Sequence, residues 1–310
     1  MPPILRYGLL AAGVGVLIAL VRQVGAETIA DLLRRVGPAF AMVSLVYLVH
    51  VAVRAGALWR CVASLSYAEV LRVRLSGEAI EILTFTGPFL AEPAKGWLLT
   101  RRGLSGADAF GGVAIEYMLY TLTSAWMATI ALWLLLAHAA LPPPLRAPAI
   151  GILAGAIAIS AGFAIAAVTG VGLIVPALRA VGAAAAAARI DPIERILVAF
   201  MHRQPRRLAE VLALEAVGQS LLVLEIFIVI RVLGFAFSPL QAFTVEGAAK
   251  FISIAFFFVP GQIGASEGVY TLLFASLGLP GAAGLTMMLC RRLRALIVAA
   301  VALVLASVLR

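Results

Sequence analysis

The feature that most restricts this chain is a series of apolar runs close to the length that crosses a bilayer. They fall at about Tyr7–Val21, Pro38–Leu58, Ala107–Ala137, Ala149–Val175 and Leu208–Val232, with a last run from Gly281 to the C-terminus. A membrane-spanning helix needs about 20 mostly apolar residues. Lipid offers the backbone no hydrogen-bond partners, so a span is a helix or part of a closed barrel. These runs are long, rich in Ala and Leu, and do not alternate, which selects helices. Composition agrees: 63% of the 310 residues are hydrophobic, only 13% are charged, and the mean hydropathy is +1.08. Soluble domains carry about 25% charged residues. The expectation is an all-α, polytopic membrane bundle of about six to eight spans, one transmembrane domain over residues 1–310.

The first run follows Arg6 and resembles the apolar region of a signal peptide, with the small residues Gly25-Ala26 beyond it. The lack of a clean Ala-x-Ala site, and the spans that follow, favour a retained first helix.

Two further apolar stretches, Ser76–Ala91 and Leu240–Leu277, are interrupted. The first holds Glu78, Glu81 and Gly87-Pro88; the second holds Glu246, Lys250, Pro260-Gly261, Gly264 and Glu267. Proline removes a backbone donor and clashes with the preceding turn, so each stretch is expected to break there. Broken backbone survives at membrane depth only inside protein or beside a water-filled cavity. After each break comes the same pattern, Gly103-Leu104-Ser105-Gly106-Ala107 and Gly278-Leu279-Pro280-Gly281-Ala282, 175 residues apart. In both copies an ionisable residue follows the first glycine by 13 positions: Glu116 in one and Arg291 in the other. These features predict an internal repeat, with halves at about 60–137 and 208–308, built on two broken or re-entrant segments.

The net charge is +9 and the isoelectric point about 10.4. In a membrane protein such an excess is read as cytoplasmic loops against anionic headgroups, not as nucleic-acid binding. Arg60, Arg72 and Arg74 follow the second span, Lys95, Arg101 and Arg102 follow the first broken stretch, and six arginines lie in 176–207. The intervening loops hold only Arg146 and Arg231. Positive-inside counting therefore puts the N-terminus and the 176–207 connection in the cytoplasm. It enters the two broken segments from opposite sides, which makes the repeat inverted. Within the connection, Asp191-Pro192-Ile193-Glu194 reads as a helix start. Ile193, Ile196, Leu197 and Phe200 then interleave with Arg195, His202, Arg203, Arg206 and Arg207. This is the pattern of a basic amphipathic helix anchored on the membrane surface.

Several ionisable residues are candidates for function. Glu92 and Lys95, three apart, share a helical face. The break at Gly261 and Gly264 frees backbone amides suited to an anion such as a lipid phosphate, with Glu267 needing a cationic partner there. Arg291, Arg292 and Arg294 lie well inside an apolar run. Each costs about 2.5–3.5 kcal/mol at the centre of a span, so they must face protein or water. Glu116, Glu246 and Glu267 are candidate partners. The cluster serves either as structural ion pairs or as a receiver for a headgroup phosphate. Arg54 and His50 share a face as a weaker pair. Glu215 and Glu225 are read either as proton carriers or as counter-ions to arginine. Glu78 and Glu81 are one turn apart, with nothing further to mark them as a catalytic pair. Cys61 and Cys290 read as small hydrophobes, and His50, His138 and His202 lack metal-ligand spacing. No cofactor is expected. Gly-x-Ser-x-Gly, His-Glu-x-x-His and Walker patterns do not occur in the sequence, so an enzyme is not expected.

Taken together, Pro88 with Glu92 and Lys95, Gly103-Leu104-Ser105, Glu116, then Pro260-Gly261-x-x-Gly264-x-x-Glu267 and Arg291 resemble the transmembrane region of the lysylphosphatidylglycerol synthase family. This flippase-like group includes a branch linked to hopanoid biosynthesis. The resemblance covers nearly the whole chain, and the second motif is the more specific. Ala91 stands where the family often has glycine, and Gln262 departs from a common double glycine. Members that make the aminoacylated lipid carry a fused soluble transferase domain. The chain ends at Arg310 after its last span, so that activity is expected to be missing. The resemblance implies movement of a phospholipid, a hopanoid-type lipid or a lipid-linked product across a bacterial inner membrane. The headgroup path is expected to run along Glu92, Lys95, Glu116, Gly261, Gly264, Glu267, Arg291, Arg292 and Arg294. The competing expectation is a non-transporting scaffold for lipid-modifying or hopanoid-biosynthesis enzymes.

Overall fold

The computed structural model describes residues 26–62, 64–84, 88–138, 143–255, 262 and 264–308. The first apolar run, Gly87, Pro260 and Gly261 lie outside the described residues. Eleven helices occur among the described residues, and no strand: α1 (Ala26–Cys61), α2 (Tyr67–Thr84), α3 (Pro88–Thr100), α4 (Gly106–His138), α5 (Pro143–Thr169), α6 (Ile174–Ala180), α7 (Ala184–Arg203), α8 (Pro205–Val232), α9 (Pro239–Ala255), α10 (Ala265–Ser276) and α11 (Gly281–Val308). The protein is an all-α membrane bundle. Ala39–Cys61, Gly106–Ala137 and Pro205–Val232 are long and apolar enough to cross a membrane, and Leu153–Thr169 is a shorter apolar helix. Large apolar side chains such as Leu45, Trp133, Ile157 and Leu272 stand exposed on the outside, as a lipid-facing surface requires.

Two groups of four helices, α1–α4 and α8–α11, have matching local chemistry, with α5–α7 between them. Each group's second helix opens on a serine-based capping box. Ser66 N–H donates to Glu69 at 2.9 Å, and Glu69 N–H donates to the Ser66 hydroxyl at 3.4 Å. In α9 the same roles fall to Ser238 and Gln241, at 2.8 and 3.1 Å. Both arrangements satisfy orphan donors of a first turn. The helices either side of each break then fold back on one another. In the first group Gly77 of α2 lies against the Lys95 stem of α3. In the second, Tyr270 of α10 reaches Glu246 of α9.

The Gly-Leu-x-Gly-Ala copies form the same turn. Leu104 N–H donates to Leu99 C=O and Leu279 N–H donates to Phe274 C=O, each closing a six-residue cap. Gly103 (φ +94°) and Gly278 (φ +74°) hold the left-handed position, where a β-carbon would clash. Only glycine also fits where α11 meets α10. A β-carbon on Gly284 would sit 2.3 Å from the Tyr270 carbonyl oxygen.

Packing between the groups is reciprocal. The long fourth helix of each group packs on the second helix of the other: α4 on α9, and α11 on α2. The two first helices, α1 and α8, pair with each other along their length. They run antiparallel: Arg60 meets Glu210, Arg54 meets Glu215, and His50 meets Gly218 as one helix rises and the other descends.

The connection between the groups departs from its sequence reading. α7 begins at Ala184, not at an Asp191 cap. The Ala183–Ala188 run has high helix propensity and carries the helix through Pro192. Asp191 instead pairs with Arg195 at 2.7 Å. Glu194 does not cap its own helix either: its carboxylate accepts the backbone N–H groups of Ile174 and Val175 at the start of α6. The helix ends at Arg203, and Arg206 and Arg207 belong to α8. Leu197, Phe200 and Met201 are buried against Ile115, Leu119 and Val211. The apolar face of α7 is therefore used by the bundle, while Ile193 and Ile196 remain exposed.

Candidate functional site

The core of the bundle is not uniformly apolar. Among residues less than a tenth exposed are Arg54, Arg74, Glu78, Lys95, Glu116, Glu215, Glu225, Glu246, Glu267 and Arg294. An unpaired charge there is strongly disfavoured, and the helices bring these groups together in two networks.

The first centres on Glu116, which is fully buried on α4. Its Oε1 accepts from Arg54 Nη2 at 2.7 Å and from Arg74 Nη1 at 3.0 Å, and Lys95 Nζ stands 3.8 Å from its Oε2. Arg74 also pairs with Glu78, one turn along α2, at 3.0 Å. Lys95 pairs with Glu92 at 2.6 Å, as their spacing predicts. Arg54 Nε lies 3.3 Å from Glu215 on α8.

The second centres on Arg291 of α11. Its guanidinium reaches Glu246 at 2.8 Å, Glu225 at 3.3 Å and the Tyr270 hydroxyl at 2.6 Å. Glu246 pairs with Lys250, one turn along α9, at 3.4 Å. Arg294 pairs with Glu225, and Arg292 with Glu267.

Set side by side, the two networks have the same wiring and opposite signs. Residues 116 and 291 are hubs, 175 apart. Arg74 and Glu78 on α2 correspond to Glu246 and Lys250 on α9, both offset by 172, the same offset as the Ser66 and Ser238 caps. Arg54 on α1 corresponds to Glu225 on α8. Lys95, which approaches the hub from α3, corresponds to Tyr270 on α10. Every contact to Glu116 from within its own group therefore has a charge-reversed or polar counterpart at Arg291.

Two tyrosines join the networks. The Tyr120 ring is flanked by the Arg54 guanidinium at 3.6 Å and Lys250 Nζ at 5.5 Å. Tyr47 donates its hydroxyl to Glu78 at 3.0 Å and lies 3.6 Å beneath the Arg294 guanidinium. Glu215 and Glu225 lie on one helix ten residues apart, so the networks are stacked about 15 Å apart along α8.

The structure gathers Glu92, Lys95 and Glu116 into the first network and Glu267, Arg291, Arg292 and Arg294 into the second. It does not bring Glu116 to Arg291: Glu116 takes its cations from α1, α2 and α3, and Arg291 its carboxylates from α8 and α9. Glu246 and Glu267 do serve the arginine cluster. At the second break, Glu267 has the cationic partner it needs, Arg292. Gly264, at φ +80°, donates its N–H to Glu267 Oε2 at 2.7 Å, and the same carboxylate holds Arg292. The amide end of α10 is thus met by the protein's own carboxylate. Gly261 lies outside the described residues.

Sequence reasoning counted Arg74 among loop residues. It is instead in α2 and only 2% exposed. The signal was present: Ser66-x-x-Glu69 starts a helix before Arg72, so Arg74 falls inside it. Tyr47, Tyr120 and Tyr270 were not singled out, and nothing local in the sequence marks them. Arg54 and His50, read as a weak pair, both face α8, with His50 Nδ1 2.8 Å from the Gly218 carbonyl oxygen. Cys61 and Cys290 are free thiols. Among the described residues no cluster of His, Cys, Asp and Glu is placed to hold a metal ion. A cavity of about 390 Å³ lies away from both networks, between α6 and α7, beside Arg179, Glu194 and His202.

The reciprocal packing and buried charge define a polytopic membrane protein with a polar interior. The family model described as "Lysylphosphatidylglycerol synthase TM region" matches residues 5–302. The chain belongs to that family. Neither a curated protein nor a solved structure matches it.

Proposed function

We propose that this protein moves a lipid, or a lipid-linked product, across a bacterial inner membrane. The headgroup passes along the charged column between the two helix groups. The observation that carries this reading is the stack of two buried ion-pair networks along α8, inside a chain whose outside is apolar. Intramembrane ionisable groups are expensive and line substrate or ion routes. The antiparallel α1–α8 pair and the reciprocal packing favour an inverted repeat, an architecture that in transporters places the substrate at the repeat junction. Glu92, Lys250, Arg291 and Arg292 are the partly accessible members of the column, and in this reading they meet the headgroup first. The chain then acts as a transporter and not as an enzyme, with its N-terminus in the cytoplasm. The lipid is a phospholipid or a hopanoid-type lipid.

The test is lipid movement between leaflets of liposomes containing the purified protein, followed with headgroup-labelled phospholipids. The wild type accelerates movement, and Arg292→Ala loses the acceleration while keeping its helicity and thermal transition. Movement equal in both proteins would overturn the assigned path. No acceleration of either a phospholipid or a hopanoid-type lipid would overturn transport.

A second reading rests on α7, whose exposed Ile193 and Ile196 stand beside the exposed Arg195. That edge suits a partner enzyme of lipid modification or hopanoid biosynthesis. Co-purification of such an enzyme that Ile193→Ser with Ile196→Ser abolishes, with the Arg292 variant silent, supports it.

A further inference from the structure

The first network contains more carboxylates than cations. Arg54, Arg74 and Lys95 face Glu78, Glu92, Glu116 and Glu215. Glu81, half-buried, follows one turn beyond Glu78. Three of the four carboxylates accept hydrogen bonds: Glu78 from Tyr47, Glu92 from Lys95, and Glu116 from Arg54 and Arg74. Glu215 is different. It is fully buried, and neither carboxyl oxygen accepts a hydrogen bond. Its one ion contact is Arg54 Nε at 3.3 Å, on a guanidinium already bound to Glu116. The Glu215 and Glu116 carboxylates thus lie side by side on one guanidinium, at Nε and Nη2 of Arg54. Two ionised carboxylates repel at that range in a low-dielectric interior, whereas one proton between them converts repulsion into a hydrogen bond. Glu225, the other buried carboxylate of α8, has no such need, since Arg291 and Arg294 both reach it.

We infer that Glu215 and Glu116 share one bound proton at the α1–α8 contact, and that its release and uptake accompany the transport cycle. The inference rests on the transport reading for its second half only. On release, the Glu215 O–H bond breaks and its electron pair stays on the carboxylate. The proton passes to water, and the new negative charge on the Glu215 carboxylate is met by Arg54 Nε–H. Neutral, Glu215 leaves Arg54 wholly to Glu116; ionised, it competes for that guanidinium. Arg54 also lies on the Tyr120 ring, which Lys250 of the second network approaches as well. The proton therefore acts on a group that touches both halves. The titratable and charged groups facing this point are Arg54, His50 and Cys61 from α1, Arg74 from α2, Lys95 from α3, and Glu116 and Tyr120 from α4.

The experiment uses the full chain in lipid. Infrared difference spectra are recorded as the pH is cycled, for the wild type, Glu215→Gln and His50→Gln. The expected result is the carbonyl stretch of a protonated carboxylic acid, absent in Glu215→Gln and retained in His50→Gln. Absence of this band from the wild type, or its persistence in Glu215→Gln, overturns the proton site. In liposomes, an imposed pH gradient changes the rate of lipid movement by the wild type and leaves that of Glu215→Gln unchanged. A Glu215→Gln protein that responds to the gradient like the wild type overturns the coupling. If the wild type moves no lipid, transport fails, and the infrared result still decides the proton site.

Discussion

The networks around Glu116 and Arg291 occupy equivalent places in the two halves, yet almost every charge is reversed between them. The hub is acidic in one and basic in the other. The pair on the second helix reads Arg74-Glu78 in one and Glu246-Lys250 in the other. The first-helix contact is Arg54 in one and Glu225 in the other. What the fold retains is thus the pairing, not the sign. This is intelligible physically: inside a bundle the cost lies in an unpaired charge, and a pair costs the same whichever helix supplies the cation. The networks differ in the third-helix contact, Lys95 against Tyr270, and in the carboxylate the first network cannot fully match, Glu215.

The most drastic way to break the comparison is to reverse one hub. Glu116→Arg places a fourth cation among Arg54, Arg74 and Lys95, and Arg291→Glu does the converse. Removing one partner of a buried pair costs about 3–5 kcal/mol, and reversal exceeds that, so neither variant is expected to yield folded protein. The neutral variants Glu116→Gln and Arg291→Gln sharpen the test. In each, the remaining groups keep a second partner: Glu215, Glu78 and Glu92 in the first network, and Arg294 and Lys250 in the second. Both should fold, with similar losses of about 3 kcal/mol, read as lowered thermal transitions in detergent. A loss confined to one of them would mean that only one network supports the fold.

Next in size is the link between the halves. Tyr120→Leu keeps an apolar side chain but removes the ring that Arg54 and Lys250 both approach. A desolvated cation–π contact contributes about 2 kcal/mol, and two cations use this ring. A loss of about 2 kcal/mol is expected, and it should shrink when Lys250→Met is already present. Equal losses in the two backgrounds would show that the ring does not join the networks.

How far the site could be read from the chain follows from the same comparison. The Gly-Leu-x-Gly-Ala copies and the Glu116–Arg291 correspondence are visible because both lie within a fixed offset of 175. The matches of Arg74 with Glu246 and of Glu78 with Lys250 need an offset of 172, since the second break is three residues longer. A search at one period passes over them. Sign reversal hides them further, because similarity scoring treats Arg against Glu as a mismatch. Glu246 was legible as a partner of Arg291, but Arg54 and Arg74 were not legible as partners of Glu116, for another reason. Those contacts depend on which helices pack together, and the reciprocal exchange of α4 and α11 between the groups is a tertiary fact with no local signal. The Asp191 helix start failed because a strong local cap motif lay downstream of an alanine run already able to form helix.

The two glycine turns offer a finer test of equivalence. Gly103→Ala and Gly278→Ala each force a β-carbon into the left-handed region, at about 1–2 kcal/mol. Both turns close the same hydrogen-bonded cap, so the two losses should agree within about 0.5 kcal/mol. Chemical denaturation in mild detergent can resolve that difference, and unequal losses would show that one turn has tertiary support the other lacks.

The smallest effect concerns a residue with no counterpart in the first half. Gln262 holds φ +50°, the one non-glycine residue with positive φ among those described, at a position where the family resemblance leads one to expect glycine. Its Oε1 accepts the Ser266 hydroxyl at 3.1 Å. Gln262→Gly relieves the left-handed strain but gives up that hydrogen bond, worth about 1 kcal/mol, and adds backbone freedom to the unfolded chain. These terms oppose one another, so stability should stay within about 0.5 kcal/mol of the wild type. Gln262→Ala loses the bond and keeps the strain, and should fall about 1 kcal/mol below the glycine variant. Equal stability of the two variants would mean that the left-handed backbone at 262 carries no cost, and that the glutamine there is held by its side chain alone.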